Sequence, residues 1–350
     1  MNPSSRGRQT AWGFALLAAL LAACEGPSAG ASPTPTPGTA QVSPTVGPGF
    51  GTIAYDAARQ RVVLFGGPPG PSHTWTWDGT TWARQQPATE PPIETPKTMA
   101  VAGLPMAYDE AHRNVVLLLA HPVGIDGPPP VPPDTWIWDG TTWIRQAISL
   151  PASANGGMVY YAASKRVLLL GTVTSNYQTS AHMWSWTGTT WEELHPAQLP
   201  PSFGPMAYDA ARGQVVLLIP RPTVNPPATE TDTWTWDGLT WTKQHPATYP
   251  PASAGGATAV AYDTDRRTVV VFGGLLAGNT ALNQTWTWDG TSWTQKQPAT
   301  IPTARFNHAM AYDAATHSVV LTGGAVISPS GSITGLTDTW TWDGTTWTRR

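Results

Sequence analysis

A chain of 350 residues with 41% apolar and only 12% charged residues is long enough to bury a large core, and its formal charge of −3 supplies no basic footprint, which argues against nucleic acid as a partner. Thirty-four glycines and 36 prolines punctuate it as loops punctuate many short elements. The one cysteine, Cys24, allows no intrachain disulfide.

In chain order, the first element is a targeting segment. Arg6 and Arg8 precede an apolar run from Ala11 to Ala23, the charge and length pattern of a secretory signal and too short to cross a bilayer. The run ends at Leu21-Ala-Ala-Cys24, which resembles the lipobox of bacterial lipoproteins. That resemblance implies a signal peptide over residues 1–23, lipidation of Cys24, and anchorage in the bacterial cell membrane facing periplasm or exterior. Ordinary cleavage near Ala29 to Ala31, or a buried free thiol, are the competing readings. Residues 24–48, with Ser32-Pro-Thr-Pro-Thr-Pro-Gly38 at their centre, read as a disordered Pro/Thr/Ser/Gly-rich linker. Extended at ~3.1 Å per residue, it would hold the rest of the chain up to about 70 Å off the membrane.

Residues 49–350 are a repeat array. Eighteen of the 19 tryptophans fall in six copies of W-x-W-D-G-x-x-W, from Trp75 to Trp82 in the first and Trp340 to Trp347 in the last, and only the third copy changes the Asp, to Thr187. A tyrosine ending a short strand precedes each copy, at Tyr55, Tyr108, Tyr160, Tyr208, Tyr262 and Tyr312, with spacings of 53, 52, 48, 54 and 50 residues. One four-stranded unit per repeat fits that period. After each tyrosine comes a β-branched run such as Arg61-Val-Val-Leu-Phe-Gly-Gly67, the pattern of a strand buried on both faces. Asp-Gly between two strand-like runs predicts a hairpin with a type I′ turn, pairing Trp77 with Thr80 and Trp75 with Trp82. Three tryptophans would then share one face, with Thr74, Thr76 and Thr81 opposite. Their bulk suits the widening wedge between propeller blades.

The array resembles the Kelch-repeat family, most fully at Arg305-Phe-Asn-His308, Ala309-Met-Ala-Tyr312 and Val319-Val-Leu-Thr-Gly-Gly324. The double glycine recurs at Gly66-Gly67 and Gly273-Gly274, but Leu119-Ala120, Gly171-Thr172 and Ile219-Pro220 replace it elsewhere. The resemblance implies an all-β, six-bladed β-propeller of four-stranded antiparallel blades. The array starts on a first strand and ends on a fourth, so ring closure falls to apolar packing between blades one and six.

In such a meander the first-to-second and third-to-fourth turns share one face, and the long, dissimilar loops share the other. Binding residues concentrate on variable loops over a rigid scaffold, so His121, Asp126, Tyr177, His182, Arg221, Asn279, Asn283, Arg305 and His308 are nominated as ligand-binding by loop position. His73, His121, His182 and His308 show no close ligand spacing, and no metal or other cofactor is expected. The copper-radical centre of galactose oxidase, another Kelch-like propeller, needs a cysteine in the propeller, and Cys24 is not there. Adjacent Asp-Gly differs from the Asp-x-Gly of sialidase Asp boxes. No catalytic residues are assigned. The expected function is an extracytoplasmic binding or scaffolding module for glycan or protein, with a carbohydrate-active enzyme or a structural envelope protein as alternatives.

Overall fold

The computed structural model describes residues 50–67, 72–92, 103–119, 133–150, 156–175, 178–221, 230–253, 258–328 and 330–350. Among them are six four-stranded antiparallel sheets and no helix, each sheet built from four strands consecutive in the meander. The first strands, Phe50–Asp56, Met106–Asp109, Gly156–Tyr161, Met206–Asp209, Ala259–Asp263 and Ala309–Asp313, pack side by side in a ring in which the sixth returns to the first. The molecule is a six-bladed propeller, and among the described residues each blade is built from its own repeat's four strands.

The second strands are buried on both faces, as their β-branched runs require. In blade 1 Val62, Val63, Leu64 and Phe65 are buried in succession, alternately facing the two neighbouring blades. Six apolar clusters result, one for each interface between blades. The seam between last and first blades is one of them: Ile53, Val62, Leu64, Trp77 and Trp82 pack against Ala309, Ala311 and Val320.

The tryptophan hairpin departs from the expected register. Trp77 lies directly opposite Trp82, and Trp75 opposite Arg84, around a four-residue loop closed by an Asp78 N–H to Thr81 carbonyl bond of 3.2 Å. A type I′ turn needs positive φ at both central residues, and here Gly79 alone has it, at 99°. The side chain of Asp78 decides the matter, because its Oδ1 accepts the amides of both Thr80 and Thr81 at 2.8 Å. Partial burial would raise this carboxyl, yet the Thr81 and Thr80 bonds outweigh it and bring its pKa to about 2. The same balance depresses Asp139, Asp289 and Asp343. The three tryptophans still share a face, since cross-strand partners point the same way.

Each fourth-strand tryptophan reaches the preceding blade. Trp143 donates its indole N–H to Thr74, Trp191 to Thr135, Trp293 to Thr233 and Trp347 to Thr285, at 2.7–3.0 Å. Trp82 closes the circle on Thr339 at 2.8 Å. The sixth bond is missing: the acceptor position in blade 3 holds Met183, and the buried indole nitrogen of Trp241 has no partner. A single such bond contributes about 0.5–1.5 kcal/mol, whereas each large apolar side chain buried at the interface contributes about 1.5–3 kcal/mol. Packing therefore holds the ring together, and the hydrogen bonds fix the angular register of its blades.

Glycine pairs steer the chain out of two sheets. Gly273 and Gly274, at φ 62° and 115°, and Gly323 and Gly324, at 68° and 88°, turn into two short ribbons, Leu275–Leu276 with Thr280–Ala281 and Ala325–Ile327 with Ile333–Gly335. Blades 3 and 4 lack the pair, and their second strands run on to Ser175 and Pro220.

Candidate functional site

The face with the short turns is an interblade lock. In blade 1 the buried Asp56 accepts Arg59 Nη1 at 2.7 Å, and the same guanidinium crosses to blade 2, donating to the carbonyls of Arg113 and Asp139. Arg212 on Asp209 and Arg266 on Asp263 repeat the arrangement, reaching the carbonyls of Arg267 and His317. The turn glycine receives this side chain: a Cβ at Gly140 would lie 1.7 Å from Arg59 Nε. In the opposite sense, the hydroxyls of Tyr108 and Tyr262 accept the amides of Ala58 and Ala211 from the preceding blade at 3.0 Å. Burial pushes both phenols above the usual tyrosine range, so they stay neutral. Blade 3 has Tyr161 where the others have Asp, and its hydroxyl donates to the Asp237 carbonyl at 2.8 Å, the position Arg59 reaches at Asp139. The substitution is thus compensated, and the polar groups of this face are engaged in holding blades together.

The opposite face differs from blade to blade. Two residues before the first tryptophan of each hairpin stands a polar side chain, His73, Asp134, His182, Asp232, Gln284 or Asp338. Its neighbour on the fourth strand lies 11 residues on: Arg84 Nη2 is 3.0 Å from His73 Nδ1, Arg145 pairs with Asp134 at 2.7 Å, and Lys243 with Asp232 at 2.6 Å. In blade 4 Arg221 also holds Asp232, through Nε at 3.0 Å, pairs with Glu230, and lies 4.5 Å over the ring of Tyr249. In blade 3 the polarity is reversed. His182 Nδ1 is 2.5 Å from Glu193 Oε1, Ser180 Oγ is 2.8 Å from His182 Nε2, and the imidazole stacks on Trp184 with centroids 5.6 Å apart.

Beside these polar groups an apolar cluster runs between blades 5, 6, 1 and 2. Phe306, bridged to Ala325, joins Phe50 and Leu275 in the core cluster, with Ile327, Ile333 and Leu104 packed on it.

The nominated residues divide accordingly. His121, Asp126, Tyr177 and Cys24 lie outside the described residues. His182 and Arg221 sit in the two polar clusters. Asn279 is at a ribbon tip with φ 64°, and Asn283 is exposed just after the ribbon. Two nominated residues, Arg305 and His308, are buried. Arg305 is fully buried and engaged within its own blade, with Nη1 on Asp338 Oδ1 at 2.7 Å and on the Gly323 carbonyl at 2.9 Å, Nη2 on Asp338 Oδ2 at 2.9 Å, and Nε on the Thr303 carbonyl at 3.1 Å. Burial opposes ionisation of Asp338, but Arg305 outweighs it and holds the carboxyl low. His308 is also buried, edge-on to Phe272, with neither ring nitrogen making a well-formed hydrogen bond. Burial, helped by Arg305 and opposed by the Phe272 carbonyl, lowers its pKa to about 3. The imidazole packs against the Phe272 ring and the two glycine turns at Gly273 and Gly324.

Loop position did not single out Ser180, Glu193, Glu230, Asp232, Lys243 or Tyr249. For Glu193, Asp232 and Lys243 the signal was the polar residue before each tryptophan pair and its counterpart 11 residues later, a regularity inside the repeat. Among the described residues no group of three or more His, Cys, Asp or Glu side chains could hold a metal ion.

No family model matches the chain, and no curated protein matches it. It is similar to the solved structure of YjhT, with a TM-score of 0.57 and 12% identity over 87% of this chain and 98% of that one. The β-propeller domain of the Trilobed protease from Pyrococcus furiosus gives 0.42 at 11% identity over 85% and 80% of the two chains. A gluconolactonase from Xanthomonas campestris gives 0.49 at 13% over 80% and 85%. At these identities, and with the last two scores below 0.5, the likeness establishes the propeller fold and nothing about chemistry.

Proposed function

We propose that the chain is a lipid-anchored, extracytoplasmic binding module of divergent Kelch type that presents the variable face of its propeller to a glycan or protein. The observation that supports this reading is the division of labour between faces. One face repeats an Asp–Arg lock in blades 1, 4 and 5, with His112 on Asp109 in blade 2 and Tyr161 in blade 3 taking its place, while the other carries a different polar set on each blade, including the half-exposed Arg221 stacked on Tyr249. Such stacked, preorganised groups on a rigid scaffold suit recognition at low entropic cost. The lipobox-like Leu21-Ala-Ala-Cys24 supports the anchor.

The test is a binding screen of the full chain against polysaccharides and envelope proteins, with an Arg221→Ala/Tyr249→Ala variant and a constant-face control, Arg84 being left unchanged in both. Saturable binding lost in the variant supports the reading. Binding unaffected by it, or confined to the constant face, sinks the assignment.

A further inference from the structure

From a different observation, we infer that Ser180, His182 and Glu193 form an acyl-transfer site on the rim of blade 3. The three side chains share one face of the sheet: Ser180 and His182 are two residues apart on the third strand, and Glu193 lies opposite Trp184, two residues further on. Ser180 Oγ is 2.8 Å from Nε2 and Glu193 Oε1 is 2.5 Å from Nδ1, so the two imidazole nitrogens face nucleophile and acid in the order that nucleophilic catalysis requires. With Glu193 accepting from Nδ1–H, Nε2 is the free base that takes the serine proton.

Repeat symmetry sets the group apart. In blades 2 and 4 the equivalent pairs are Asp134 with Arg145 and Asp232 with Lys243, acid on the third strand and base on the fourth. Among the described residues only blade 3 puts an imidazole and a carboxylate across these two strands, with a serine at the outer nitrogen. A purely structural ion pair needs neither the reversal nor the serine. The ring is held by its stack on the buried Trp184, and Gly171, paired with His182, places no side chain beside it. Val173, paired with Ser180, is half-buried and packs on the apolar cluster that contains Trp184.

Ser180 Oγ bonds to the acyl carbon of an ester while its proton passes to His182 Nε2. The ester C–O bond then breaks and the imidazolium returns the proton to the departing alcohol. Water attacks the acyl-serine, gives a proton to His182, and Ser180 leaves with it, so ester and water become acid and alcohol with no change of oxidation state. Nothing in the three side chains stabilises the tetrahedral oxyanion, which assigns the site to activated acyl esters, whose leaving groups depart without that help. Glu193 is a positioning residue; Ser180 and His182 are the catalytic ones.

The experiment treats the full chain with a fluorophosphonate serine probe and with p-nitrophenyl acetate and butyrate, and maps the labelled peptide. The expected result is one label, on Ser180, with ester hydrolysis abolished by Ser180→Ala and slowed about 10²–10⁴-fold by His182→Ala. Glu193→Gln slows labelling, and Glu193→Asp restores part of the rate. Unlabelled Ser180 in a chain whose tryptophan fluorescence shows it folded, or Ser180→Ala hydrolysing esters as fast as the parent, overturns the assignment. Ligand binding by Ser180→Ala is measured alongside, so that failure of this site and failure of the binding module are told apart.

Discussion

Replacing Thr339 by Val tests how the ring is closed. The two side chains are nearly the same shape, so the change removes the hydroxyl that accepts Trp82 Nε1 at 2.8 Å across the seam and leaves a buried indole N–H without a partner. Orphaning a buried donor costs about 1–3 kcal/mol, against about 0.5–1.5 kcal/mol for the net bond itself. With an unfolding entropy of about 0.5 kcal/mol per kelvin for roughly 250 described residues, the melting temperature should fall by about 2–6 °C. A double-mutant cycle with Trp82→Phe isolates the pair, because that variant also loses indole packing that has nothing to do with Thr339. The coupling should equal that of Trp293 with Thr233, an interior pair of the same geometry at 2.8 Å. Calorimetry or thermal fluorescence of the four variants measures it. A cycle with no coupling, or a Thr339→Val melt unchanged while Thr233→Val drops, would show that blades 6 and 1 are not joined as the other blades are.

Four further outcomes are expected. His308 has a folded pKa of about 3 against an ordinary 6.5, so the unfolded chain binds more protons between those values; stability is full above about pH 6.5 and declines as pH falls toward 3, by at most about 1.4 kcal/mol per pH unit, and His308→Phe should flatten that limb of a pH–denaturation series. Asp78, depressed to about 2, adds stability that is present above its unfolded value of 3.8 and lost only as pH falls from there through 2, so Asp78→Asn should leave the pH 4–6.5 slope unchanged. Tyr161→Phe deletes the bond to the Asp237 carbonyl and should cost about 0.5–1.5 kcal/mol in urea unfolding, while the ring of Tyr161 keeps its edge-on contact with Tyr208. Cys24→Ser should abolish incorporation of labelled palmitate and release the protein from the membrane fraction; palmitate retained by the variant would remove the lipobox reading.

Much of the architecture was legible because a repeat states its own constraints six times. The tryptophan copies set the number of blades, and the β-branched runs marked the doubly buried strands. The hairpin register was not legible, because Asp-Gly has two solutions, and the choice between them turns on where the Asp carboxylate points. Met183 and Tyr161 depart from the repeat, and the sequence does not show to what effect. In the structure one removes a specific bond from Trp241 and the other replaces a specific guanidinium.

The candidate site was the least legible part. Loop position put Arg305 and His308 beside His182 and Arg221 as equals, although two are buried in a blade and two stand on the rim. By itself the chain determined fold class, blade count and which face varies, since these follow from period, alternation and turn chemistry, which are local properties summed over repeats. Only the tertiary structure decided which polar residues are held inside and which meet at a common point. Ser180 and Glu193 are 13 residues apart in sequence, and it is strand pairing that brings both to the same imidazole.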